Sequence, residues 1–128
     1  MNLGYFMAVS KLHLAGFWKA VAAAVVVSLT MGLVAASMDP VQDVSFLEKM
    51  FGTAAFLGHQ FFALSVGYFA FHVARDLSGK KSIGILTGLV LGFIALLASY
   101  GAVVKASGDR WSWGSYPGMR GGFLEVKP

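Results

Sequence analysis

Residues 50–74 read MFGTAAFLGHQFFALSVGYFAFHVA, 25 positions without an Asp, Glu, Lys or Arg. At about 1.5 Å of rise per residue, a helix of that length outreaches the roughly 30 Å hydrocarbon core of a bilayer. Two further charge-free stretches flank it, residues 20–38 with 19 positions and residues 82–104 with 23. A helix buried in a soluble bundle keeps a charged face at helical spacing, and none of these stretches has one. The fold class that follows is all-α and integral to a membrane. A single transmembrane domain, 1–128, carries spans at about 14–38, 50–75 and 82–104. A short N-terminal interfacial segment precedes them, and an extended Gly/Trp-rich tail, 105–128, follows.

Composition agrees with that reading. Of 128 residues, 57% are hydrophobic and only 16 are charged, 10 Lys/Arg and 6 Asp/Glu, too few to clothe a soluble domain. The net charge of +4 lies outside the apolar stretches, so it speaks for membrane flanks and against nucleic acid as a partner. With no cysteine, disulfides, thiolate metal sites, cysteine nucleophiles and covalent c-type heme are excluded.

Residues 1–10 are apolar and include Tyr5 and Phe6, but Lys11, His13 and Lys19 separate them from the first span. This predicts a segment lying along the headgroups. The first span is longer than the hydrophobic region of a signal peptide and is read as retained. Asp39-Pro40 ends it, because a residue before proline is driven out of the helical region. Ser78-Gly79-Lys80-Lys81 makes a tight basic turn into the third helix. Basic residues divide evenly between the two sides, five and five, but three of them crowd the short second loop. That density places the amino terminus in the cytoplasm and the tail outside, in a bacterial inner (cytoplasmic) or other energy-transducing membrane.

Gly84, Gly88 and Gly92 recur every four residues and share one helix face, a seam for close backbone approach. It serves either another helix of this chain or a helix of a partner. Three histidines are the candidate cofactor-binding residues, His13, His59 and His72, with His59 and His72 also candidate metal ligands. An imidazole inside a membrane ligates heme iron or chlorophyll magnesium, relays protons, or bonds a neighbouring helix. His59 and His72 lie 13 residues apart, about 20 Å along a helix but about 140° around it. The distance suits two stacked hemes and the angle does not. His13 and His72 share a depth at which they could hold one heme b between them, or one histidine could act with a ligand from a partner. His72 and Asp76, four residues apart, form a natural helical pair.

Ala55 followed four positions later by His59 resembles the bacteriochlorophyll sites of light-harvesting polypeptides. His72-Val-Ala-Arg75-Asp76-Leu-Ser-Gly79 resembles the cytoplasmic end of the second helix in the cytochrome b anchor subunits of succinate dehydrogenase. Those anchors are three-helix chains of about this length. The resemblance covers less than a tenth of the sequence, and the family's heme-ligating position falls on Ser65 here. It implies a class, small cofactor-adjacent anchor subunits of respiratory complexes, and carries over no catalytic residue. In the tail, Trp111, Trp113, Tyr116 and Arg120 are the residue types favoured at interface hot spots and are read as partner-docking, the alternatives being membrane-interface anchoring for Trp111 and Trp113 and a disordered end.

No phosphate loop, catalytic triad or intramembrane carboxylate pair is present, and no inverted repeat. The expected function is therefore that of a small non-catalytic subunit of a multi-subunit respiratory or photosynthetic electron-transfer complex. Its expected partners are other integral-membrane subunits and lipids, with His59 or His72 the expected point of contact with a heme b or a (bacterio)chlorophyll. The alternatives are a b-type cytochrome binding one heme, and a homo-oligomeric scaffold or transport protein.

Overall fold

A computed structural model of the chain describes residues 3–39 and 44–108. Three helices account for nearly all of them: α1 (Leu3–Met38), α2 (Phe46–Ser78) and α3 (Lys81–Ala106). All three are long and apolar enough to cross a membrane. At 1.5 Å per residue they measure about 54, 50 and 39 Å, so each has length to spare beyond the hydrocarbon core.

The ends of the helices have local causes. Ser45 caps α2, its hydroxyl accepting from the Glu48 amide at 3.1 Å, in a Ser-x-x-Glu sequence that also sets a carboxylate in the positive first turn. Gly79 closes the other end at φ 70°, a left-handed conformation open to glycine without penalty, and its amide donates to the Arg75 carbonyl at 2.8 Å. The Ser78 hydroxyl accepts from the Lys80 amide at 3.1 Å, which completes the tight turn. α1 ends at Met38, directly before Asp39-Pro40.

The amino-terminal segment departs from expectation. Instead of a separate interfacial piece, residues 3–13 continue α1 without a break. The reason is a surface to lie on. Val9 is buried against the end of α2, and the Tyr5 hydroxyl donates to the Asp76 carbonyl oxygen at 3.1 Å.

α2 lies in the middle, antiparallel to both neighbours, and α1 and α3 do not meet among the described residues. The helices thus form a single layer. Small residues line both seams. Between α1 and α2 the meeting points are Ser28, Gly32 and Ala36 on one side and Ala54 and Gly58 on the other. Between α2 and α3, Gly67 abuts Gly88 and Gly92, and Gly84 abuts Phe71 and Arg75. The glycine face of α3 thus packs against α2 within the chain. Trp111, Trp113, Tyr116 and Arg120 lie outside the described residues.

Candidate functional site

The polar groups gather at the end of the layer where α1 begins and α2 finishes. α1 presents Tyr5, Val9 and His13, and α2 presents Tyr68, His72 and Asp76. Each set is spaced by four, so each forms a ladder on one helix face, and the antiparallel helices set the ladders against each other. His13 Nε2 and Asp76 Oδ2 lie 2.6 Å apart. The other carboxylate oxygen, Oδ1, accepts from Arg75 Nε at 3.1 Å and lies 3.1 Å from Arg75 Nη2. Asp76 is thereby the joint that ties the first turns of α1 to the last turns of α2.

That arrangement corrects the expected pairing of His72 with Asp76. Across the helix interface His13 reaches the carboxylate head-on, and Arg75 occupies the remaining oxygen. His72 instead lies flat against His13, ring centroids 5.2 Å apart and planes 22° from parallel, with the Tyr68 ring edge-on at 4.3 Å. Its Nδ1 is buried and has no hydrogen-bond partner among the described residues.

Removing the carboxylate isolates its contribution. In Asp76→Ala, amide hydrogen exchange over residues 3–13 is expected to rise several-fold while residues 20–36 keep their protection, because the former segment is held by this joint and the latter by the Gly32 seam. Uniform protection in the variant would show that the joint does not hold α1.

His59 occupies a different environment. It is buried, 4% exposed, on the face of α2 turned to α3. Ser99 Oγ lies 3.5 Å from its Nδ1, 3.3 Å from its carbonyl oxygen and 3.1 Å from the Leu96 carbonyl oxygen. The rings of Tyr100 and Phe56 stand 6.0 and 6.4 Å away. His59 and His72 thus face different partner helices, as their angular separation requires. Ser99 and Tyr100 carried no signal in the sequence, since which residue of α3 meets His59 depends on helix register.

A heme held by two imidazoles needs their nitrogens aimed at each other from opposite faces of the porphyrin. His13 and His72 turn flat faces to each other, and His13 Nε2 is engaged by Asp76. The cavity beside them, between Gly16, Ser65 and Tyr68, measures about 270 Å³, below the roughly 300–1,000 Å³ of small-molecule sites. In this arrangement the pair does not fit heme b, and His59 is closed in by α3. Among the described residues no three His, Asp or Glu side chains converge as a metal site.

The chain matches no protein-family model, no curated protein and no solved structure. The resemblance at the end of α2 therefore rests on His72, Asp76 and Gly79 alone.

Proposed function

We propose that the chain is a small non-catalytic integral-membrane subunit of a multi-subunit respiratory or photosynthetic electron-transfer complex. The observation that carries this reading is the open single layer. α1 and α3 do not pack on each other, and large apolar side chains outside the groove between α2 and α3, such as Val26, Val34, Leu86 and Ile94, stand 53–64% exposed. A layer of this kind presents broad apolar faces on which larger membrane subunits can pack. Because the glycine face of α3 is already engaged by α2, contact with core helices falls to these outer faces. The likeness of the α2 end to respiratory anchor subunits supports the same class. A heme or chlorin near the chain would then take its ligands wholly or partly from another subunit.

Purification in mild detergent, with a reduced-minus-oxidised absorbance spectrum and mass determination of all components, tests the reading. The expected result is a colourless isolated chain that, in native membranes, travels with larger redox or pigment-bearing subunits. A b-type band on the isolated chain would overturn it in favour of a cytochrome. A pure multiple of 13.6 kDa would overturn it in favour of a homo-oligomer.

A further inference from the structure

We infer that the groove between α2 and α3 is a binding site for one anionic phospholipid, its acyl chain in the groove and its headgroup against Arg75, Lys80 and Lys81. The groove holds about 690 Å³ and is floored by Gly67 and Gly88. It runs from Gln60 and Leu96, near the middle of the two apolar stretches, to Phe71 and Ile85 near their basic end. Eleven residues separate the ends of the groove on either helix, about 16 Å. One leaflet of a roughly 30 Å core offers an acyl chain about that depth.

Charge decides which lipid. Phe71, at the shallow end of the groove, carries the Arg75 guanidinium over its ring at 5.3 Å. Lys81 lies one helical turn before Ile85, and both Lys80 and Lys81 are exposed and make no ion pair among the described residues. A headgroup at the mouth of the groove therefore meets three cations, only one of them balanced, by Asp76. Basic groups at the membrane surface attract anionic lipid. A second groove, between α1 and α2 and about 510 Å³, opens toward the other end of the layer beside Phe51. There the nearby Lys49 is buried and directs its Nζ at the Asp39 carbonyl oxygen, 3.4 Å away, and among the described residues no exposed cation lines that groove to select an anionic headgroup.

Native mass spectrometry of the full chain, released from detergent micelles carrying equimolar phosphatidylglycerol and phosphatidylcholine, tests the assignment. The wild type is expected to retain one phospholipid, with phosphatidylglycerol favoured on the order of tenfold. The double substitution Lys80→Gln, Lys81→Gln, at exposed positions that leave both seams intact, is expected to lose most of that preference while keeping its helix content. Leu89→Trp sets an indole in the groove, since Leu89 lines it and is 69% exposed, and is expected to lower retention of both lipids. Equal retention of the two lipids by the wild type would overturn the proposal. So would a preference that survives in the lysine variant, retention undiminished in Leu89→Trp, or a lipid-free dimer.

Discussion

Gly88→Leu is expected to part α3 from α2 and to lower stability by about 3 kcal/mol, the upper end of what overpacking a close contact costs. A Cβ at this position would stand 2.7 Å from the Gly67 carbonyl oxygen and 3.1 Å from Phe71 Cβ. The first of these neighbours is backbone, so no rotamer change relieves the clash and the helices themselves must move. In lipid, association has no hydrophobic drive and depends on this close approach. Alanine gives the sharper test of sign. In an exposed helix interior Gly→Ala stabilises by about 1 kcal/mol, whereas Gly88→Ala is expected to destabilise because the Cβ alone makes the contact. Gly101→Ala is the control, for its Cβ would meet nothing within 4 Å. Helicity followed through denaturing-detergent titration reads all three variants. A Gly88→Ala midpoint at or above that of Gly101→Ala would show that the seam is looser than described.

Gly32→Leu is expected to open the other seam by a similar amount. A Cβ there would run into the Met50 carbonyl oxygen and stand 3.3 Å from both Ala54 Cβ and the Ala54 amide. The consequence differs from that of Gly88→Leu because α1 is also held at His13, 19 residues and about 28 Å away along the helix. One end of α1 should therefore swing while the other stays tied to Asp76. The chain has no cysteine, so introduced cysteine pairs can report each end without background. Cross-linking between α1 and the early turns of α2 should fall in Gly32→Leu, while cross-linking near His13 should persist. Adding Asp76→Ala should release both ends, with additive effects on stability, since the sites share no partner. Loss of both cross-links in Gly32→Leu alone would mean that the polar joint has no independent strength.

Some of this could be read before any coordinates. The charge-free stretches located three helices to within a few residues at most ends. Asp39-Pro40 and Ser78-Gly79 marked their stops. The 13-residue offset of His59 and His72 foretold that they face different ways. The start of α2 was not among these, because the Ser45 cap begins the helix at Phe46, four residues before the charge-free stretch. These features are local, written in runs and short spacings that act within one helix. The candidate site was legible only in its members. His13, His72 and Asp76 stood out as polar residues at one depth, but the bond that forms is between His13 and Asp76, 63 residues apart.

Composition and spacing determined that this chain makes three apolar helices with a glycine face on the third and histidines at two depths. The tertiary structure decided what each face meets. It spent the glycine face on Gly67 and Phe71, extended α1 through residues 3–13, stacked His72 on His13, and left α1 and α3 apart with a groove beside α2. The physical reason is that helical periodicity determines only the direction in which a side chain leaves its own axis. Its partner depends on how two axes cross and slide, and a shift of one residue, about 1.5 Å along the axis and 100° around it, is enough to exchange that partner for another.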